Sequence, residues 1–361
     1  KAEYKTVRAA AAKYFEEKHA EKIAAAYGDE RSALDAFFDK NKDLKEELYA
    51  AITDRDDVAK VLGTFKQLWK DNPESVAKYA NLAIAISVVW DQPQFAYDYR
   101  GHQIRTKSKL PTDYLKFEAL DEFHYQLSHA KTLQGKEMAN RLEVLPWEFL
   151  VYVVDHRTPV TEREWAIKNY LPKRPMIGKI YSDIEYDKVM LETQSRVCKL
   201  NDRDYTLPEI KQVGGVCAMQ ADFAARVGKS IAVPAAYVRG QGQDLGLHAW
   251  VMWVEVKSAS KTAVTFSLES HGRYLGDNYY TGQLIDPQTG VEILDRDMER
   301  RLSDVSTNRT GKRQADAFAC FPVVSAVTAA TPTVPARKRL VRACSERPRS
   351  SVSCVGVASN A

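Results

Sequence analysis

Apolar side chains recur at intervals of three and four positions through the first third of the chain. Phe37 and Phe38, three and four positions after Leu34, are an example, and this spacing places apolar side chains along one side of an α-helix. Asn72–Pro73 has the composition of a helix start, because proline fits the first helical turn. The pattern therefore predicts four to six packed helices over residues 1–135.

The longest apolar run in the chain is Leu82–Trp90, LAIAISVVW. It is much shorter than the roughly 20 apolar residues that a membrane-spanning helix needs. We therefore interpret it as a buried helix and expect no membrane span.

The pattern of apolar and polar residues changes after Leu145–Pro146. Leu150–Val154 predicts a short buried strand, and the segment from Thr161 to Tyr170 predicts a helix. Further runs are rich in valine and aromatic residues, as strands are: Tyr237–Val238, Ala249–Val256 and Ala263–Leu268. An α+β fold is expected, with an all-helical region over 1–135, a mixed core over 145–300 and an irregular basic tail over 315–361.

Composition changes this picture little. Hydrophobic residues are 45% and charged residues 28% of the chain, as in an ordinary globular protein. The formal net charge is +4, but six Lys and Arg against one Glu in residues 317–361 give that segment +5, which leaves −1 for residues 1–316. A nearly neutral body gives no reason to expect a nucleic-acid partner, and we assign no function to the tail.

The five cysteines show no CxxC spacing, so neither a zinc site nor any other metal or cofactor is expected. The printed sequence begins with Lys1 rather than Met, which is compatible with a processed, extracytoplasmic or secreted protein. The sequence leaves the compartment and the oligomeric state open.

Candidate chemistry is concentrated in the segment QVGGVCAMQADFAARVG, from Gln212 to Gly228. Gly214 permits a tight turn, and Met219, Phe223 and Val227 form a one-sided apolar stripe that begins beside Cys217. Gly228 is expected to end that helix. Cys217 would then lie at a helix N-terminus, where unpaired N–H groups favour a thiolate and can stabilise an oxyanion.

A histidine follows at a suitable distance along the chain. His248 begins the strand-like run that continues through Ala249–Val256. A nucleophilic thiol needs a base or an ion-pair partner near neutral pH, and imidazole has the intrinsic pKa for that task.

The segments GGVCAMQADFAARVGKSIAVPAAYVRG and GLHAWVMW together resemble the transglutaminase-like superfamily. The similarity covers roughly 75 residues, from Gly214 to about Pro287, and rests on the order and spacing of several elements. It implies a papain-like core in which a helix bearing Cys217 packs on an antiparallel sheet bearing His248. Members of this family include cross-linking enzymes, peptidases, amidases and inactive binding domains.

The family pattern also implies an acid that orients the imidazole, and two candidates are open. Asp286 matches the family's acid-proline letters in Ile285-Asp286-Pro287. A hairpin turning near residues 258–261 would instead bring Glu269 near His248. Asp277, or no acid at all, is the remaining alternative. Papain-like folds often place a glutamine shortly before the cysteine, which makes Gln212 a candidate oxyanion donor.

The expected function is therefore thiol acyl transfer or hydrolysis on amides of a protein or peptide substrate. Cys217 would attack the carbonyl and His248 would act as base. The alternative is an inactive transglutaminase-like binding or scaffold protein that retains the fold.

Overall fold

The computed structural model describes residues 2–114, 118–134, 138, 140–241, 246–260, 264–271, 274–275, 278–279 and 281–307. The tail predicted over 315–361 lies outside these residues. None of the described helices is long and apolar enough to cross a membrane.

Nine α-helices make up the first part of the described chain, with short 3₁₀ turns at Gly28–Glu30 and Pro93–Phe95. Their number exceeds the expected four to six, because residues such as Gly28, Asn41 and Tyr79 divide longer apolar-periodic stretches into short helices. The helices are α1 (Ala2–Lys18), α2 (Ala20–Tyr27), α3 (Arg31–Lys40), α4 (Lys42–Ala51), α5 (Val58–Asp71), α6 (Pro73–Lys78), α7 (Ala80–Trp90), α8 (Arg100–Thr106) and α9 (Ala119–Gln134).

Two local predictions in this region are confirmed. The Asn72 side chain accepts a hydrogen bond from the Ser75 N–H, so Asn72 caps α6 and Pro73 occupies its first turn. The apolar run Leu82–Trp90 forms most of α7 and is buried.

Helices continue through the middle of the chain, with a 3₁₀ segment at Leu171–Met176. The strand predicted at Leu150–Val154 is wrong: these residues belong to a buried helix, because a short apolar run fits either element when all of its sides are covered. The helices are α10 (Arg141–Val144), α11 (Trp147–Val154), α12 (Val160–Tyr170), α13 (Ile177–Ser182), α14 (Lys188–Glu192), α15 (Leu207–Val213), α16 (Cys217–Ser230) and, after the strands, α17 (Asp295–Thr307).

A five-stranded antiparallel sheet follows α16 and confirms the expected α+β class. The described strands are β1 (Ala235–Gln241), β2 (Leu247–Ala259), β3 (Val264–His271), β4 (Tyr274–Leu275), β5 (Asn278–Tyr279), β6 (Thr281–Ile285) and β7 (Glu292–Leu294). In the five-stranded sheet the order is β3-β2-β1-β6-β7, and β4 and β5 form a separate pair. The three predicted strand runs fall in β1, β2 and β3.

The two faces of the sheet cover different cores. Trp250 and Val238 pack against the apolar core that contains the N-terminal helices. Tyr237 and Val251 face the core around α16. The helical region and the sheet therefore share a continuous core, and α16 lies against one side of β1 and β2. This arrangement brings the N-terminus of α16 to the strand ends that carry the candidate histidine.

Candidate active site

A glycine turn positions Cys217 at the start of α16. Gly214 has φ +86, and a Cβ there would lie 2.4 Å from the backbone oxygen of Glu185. The Gly215 N–H donates to that same oxygen at 2.9 Å. Only glycine allows both the positive φ and this close approach, so the turn predicted at Gly214 is present.

The start of α16 has no side-chain cap. Val216 is the N-cap in an extended conformation, and its side chain makes no capping hydrogen bond. The Met219 and Gln220 N–H groups donate to the Val216 carbonyl at 2.8 and 3.1 Å, which leaves the N–H groups of the half-buried Cys217 and of Ala218 without intrahelical acceptors. The position of Cys217 at the helix N-terminus matches the expectation from the sequence.

The far end of α16 differs from the prediction. The helix continues past Gly228 to Ser230, and Ile231 follows as the C-cap residue. Gly228 instead allows close packing, because a Cβ there would lie 2.9 Å from the Cβ of Ala235 on β1. Its role is to bring the helix against the sheet rather than to end the helix.

His248 and Cys217 line one cavity of about 630 Å³. This cavity, which we call the Cys217 cavity, lies where α16 meets the ends of β1 and β2. Its described lining comprises Arg105, Leu191, Val216, Cys217, Ala218, Tyr237, Arg239, Gly240, Gln241, Leu247, His248, Ala249, Gln283 and Leu294. Two residues 31 positions apart in sequence are thus brought to the same opening.

The sheet register determines which way His248 projects. It pairs with Gly240, which in turn pairs with Gly282 on β6. Strand alternation places the imidazole on the same face as Trp250, and the two ring centroids lie 6.2 Å apart. The cavity includes residues of both faces, so it opens around the strand ends rather than lying on one face alone.

Glu269 does not lie opposite His248. It pairs with Trp253, and Val251 pairs with His271. Trp253 is five residues beyond His248, which corresponds to about 17 Å along an antiparallel strand. The predicted hairpin register is therefore wrong, because the strands continue farther before turning than the sequence suggests.

Asp286 is also distant from the imidazole. Gln283 on β6 pairs with Arg239, so Asp286 lies four residues beyond the row that contains Gly282, or about 13 Å along the strand. Its buried carboxylate accepts the backbone N–H groups of Gln288 and Thr289 at 3.0 Å and contacts the Arg301 guanidinium. These partners assign Asp286 to the turn after β6.

The remaining sequence candidates are separated from the site or outside the described residues. Gln212 is exposed on α15 and is not among the described residues that line the Cys217 cavity. Asp277 lies outside the described residues. None of the described residues that line the cavity is acidic.

Tyrosines that the sequence analysis did not identify surround the cysteine. Burial raises the pKa of Tyr181, Tyr186 and Tyr237, and proximity to Cys217 contributes to the increase in each of them. The Tyr181 hydroxyl donates to the Ala249 carbonyl at 3.0 Å and so connects α13 to β2 beside the cavity. No motif marks these residues, because they come from separate elements that only the fold brings together.

Buried charges anchor α16 on the side away from the sheet. Asp222 accepts hydrogen bonds from the hydroxyls of Tyr97 at 2.7 Å and Tyr205 at 3.1 Å. One turn later, Arg226 pairs with Glu162 at 2.6 Å. These bonds hold the helix that carries Cys217, because separating a buried pair would leave an unpaired charge in the interior.

A second ion pair lies near the end of the same helix. Lys229 contacts the carboxylate of Asp155 and donates to the Tyr152 carbonyl at 2.9 Å. Burial lowers the pKa of Lys229 and raises the pKa of Asp155. Both residues line a second cavity of about 480 Å³, which shares Tyr237, Arg239 and Gln283 with the Cys217 cavity.

The described residues contain no group of three or more His, Cys, Asp and Glu side chains arranged to hold a metal ion. Comparison with protein-family models, curated proteins and solved structures finds no match. The chemistry of the site is therefore inferred from its own residues and from the resemblance of its sequence motifs.

Proposed function

We propose that this protein is a transglutaminase-like thiol acyltransferase or hydrolase that acts on amides of a protein or peptide. The observation that supports this proposal most directly is the shared cavity of Cys217 and His248. The cysteine-bearing helix packed on an antiparallel sheet is consistent with the papain-like core that the motifs imply.

In the proposed reaction, the Cys217 thiolate attacks the amide carbonyl carbon, and the N–H groups at the start of α16 stabilise the resulting oxyanion. His248 carries the proton from the thiol and donates it to the leaving amine as the C–N bond breaks. The thioester that remains is transferred to water or to an amine, and His248 takes the proton of that nucleophile. Hydrolysis and cross-linking differ only in this acceptor.

The cavity is suitable for a carbonyl substrate. Cys217 is half-buried rather than sealed in the core, and Tyr237 and Ala249 line the cavity beside it. Partial exclusion of water strengthens hydrogen bonds to a developing oxyanion.

A second proposal is a binding protein that retains the fold without the reaction. One observation favours it: strand alternation directs the imidazole to the face opposite Tyr237. In that case the cavity would bind peptides without forming a thioester.

Thiol alkylation distinguishes these two proposals. We expect iodoacetamide to modify Cys217 rapidly well below about pH 8, as an activated thiolate does. Cys198 provides an internal control, since burial raises the pKa of its thiol. Mass spectrometry after timed exposure reports both sites in one sample.

The His248→Asn variant completes this test. If the imidazole assists the thiol, alkylation of Cys217 slows in this variant while alkylation of Cys198 does not change. Equal rates at Cys217 and Cys198 in the unaltered protein would contradict the acyl-transfer proposal and favour the binding protein.

A further inference from the structure

Two large apolar side chains are exposed at the mouth of the Cys217 cavity. Leu247 is 85% exposed at the first position of β2, directly before His248, and Leu191 on α14 is 55% exposed. Single exposed leucines are ordinary on protein surfaces. Two that line the same cavity as a candidate nucleophile indicate a binding surface.

The same cavity contains two arginines, of which Arg105 has no ion-pair partner among the described residues. Its lining contains the guanidiniums of Arg105 and Arg239 and no carboxylate. Arg239 is paired with Glu292 at 2.8 Å. Arg105 forms no ion pair with any residue that the structure describes, and its Nε donates to the Ser195 hydroxyl at 2.9 Å. Arg105 can therefore pair with an anionic group of a bound molecule.

The dimensions of the opening favour an elongated occupant. The Cys217 cavity shares Tyr237, Arg239 and Gln283 with the lining of the second cavity, and the two cavities enclose about 630 and 480 Å³. A small amide beside Cys217 would leave Leu191 and Leu247 uncovered and the second cavity empty. A chain in extended form contacts all of these surfaces at once.

We propose that Leu191, Leu247 and Arg105 recognise an extended polypeptide that carries a bulky apolar side chain and a carboxylate beside the amide bound at Cys217. This proposal rests on the proposed function for the position of the amide and adds the substrate class. The leucines cover the apolar side chain, and the guanidinium pairs with the carboxylate.

Peptide binding tests the proposal without requiring turnover. In a Cys217→Ala variant, we would measure fluorescence anisotropy with four fluorescein-labelled peptides of equal length. They contain Leu or Ser at one position and Glu or Lys at the next. We expect the Leu–Glu peptide to bind at least about tenfold more tightly than the Ser–Glu and Leu–Lys peptides, as loss of one good contact predicts.

Substitutions of Leu247, Leu191 and Arg105, which we call the rim variants, then show which side chain causes each preference. Leu247→Ser and Leu191→Ser should reduce the preference for Leu over Ser, and Arg105→Gln should remove the preference for Glu over Lys. Met176→Ser and Arg196→Gln are matched controls, because both residues are exposed and neither is among the described lining residues. The controls should leave all four affinities unchanged.

The two proposals can fail separately. Equal affinities for the four peptides, or a preference that persists in all three rim variants, would overturn the recognition proposal even if Cys217 reacts rapidly with iodoacetamide. Selective binding of the Leu–Glu peptide by a protein whose Cys217 is inert would support recognition and contradict acyl transfer.

Discussion

The guanidinium of Arg226 lies 2.6 Å from the carboxylate of Glu162, and both side chains are excluded from solvent. Arg226 also lies 3.5 Å from Asp222 and 3.8 Å above the centre of the Tyr99 ring. It thereby joins the helix that carries Cys217 to α12. Replacing such a residue leaves two buried carboxylates without their cation.

We therefore expect Arg226→Met to lower the free energy of unfolding by about 3–5 kcal/mol, the usual cost of removing one partner of a buried pair. Equilibrium unfolding in urea measures this change. Arg203→Met is the control, because Arg203 pairs with Glu209 at 3.0 Å on the surface and such pairs contribute at most about 1 kcal/mol. Similar losses in the two variants would show that the Arg226 pair does not anchor α16.

The charged side of α16 shows what periodicity can and cannot predict. The stripe of Met219, Phe223 and Val227 was predicted to face a core, and all three are buried. Asp222 and Arg226 are equally buried, although a one-sided apolar stripe implies that charged residues on other sides face solvent. Helix α16 is enclosed because both α12 and the sheet pack against it. The contact with α12 has no signature in the sequence of α16.

The positions of three strands along the chain were predictable, and their register was not. Valine and aromatic residues located β1, β2 and β3, but the turn between β2 and β3 lacks a marked signal such as Asn-Gly. The register shift between Val256 and Ser258 moves the pairing further. An error of a few residues in the predicted register placed Glu269 near His248, whereas Glu269 pairs with Trp253.

The corrected register makes a direct prediction for Glu269. Because Glu269 lies about 17 Å along the strand from His248, Glu269→Gln should leave the rate of Cys217 alkylation within about twofold of the unaltered protein. His248→Asn, measured alongside, should slow it. A loss in Glu269→Gln as large as that in His248→Asn would mean that Glu269 acts on the imidazole after all.

Buried carboxylates predict how stability changes with pH. Burial raises the pKa of Asp91 to about 7 and that of Asp56 to about 6. Unfolded aspartates titrate near about pH 3.9, so the folded state holds more protons in the interval between these values. The contribution of these two carboxylates to the free energy of unfolding should then fall as pH rises from about 4, by up to about 1.4 kcal/mol per pH unit for each group. It should level off above about pH 6 for Asp56 and above about pH 7 for Asp91.

Asp91→Asn isolates one of these groups. Its amide oxygen can still accept the hydrogen bond from the Asp57 N–H, which the Asp91 carboxylate accepts at 2.9 Å. The variant should gain more stability, relative to the unaltered protein, at pH 8 than at pH 5, since only the unaltered protein has to bury the ionised form. Asp39→Asn changes an exposed carboxylate and serves as the control. An equal effect of Asp91→Asn at both pH values would contradict the raised pKa.

The turn before Cys217 is the most constrained point of the site. A Cβ at Gly214 would meet a backbone oxygen at 2.4 Å, in a conformation that also has positive φ. Backbone cannot move aside as a flexible side chain can, so Gly214→Ala should lower the free energy of unfolding by about 1–3 kcal/mol. The displaced turn should also change the rate at which iodoacetamide modifies Cys217.

Gly63→Ala is the matched control for that substitution. Gly63 lies inside α5, and a Cβ there has no neighbouring atom within 4 Å. Alanine at a helix-interior glycine is expected to stabilise the fold by about 0.5–1 kcal/mol and to leave Cys217 alkylation unchanged. Thermal unfolding and timed alkylation on the two variants distinguish a local constraint from a general effect of adding a methyl group. If Gly214→Ala behaves like Gly63→Ala in both measurements, the close approach to Glu185 does not position the cysteine.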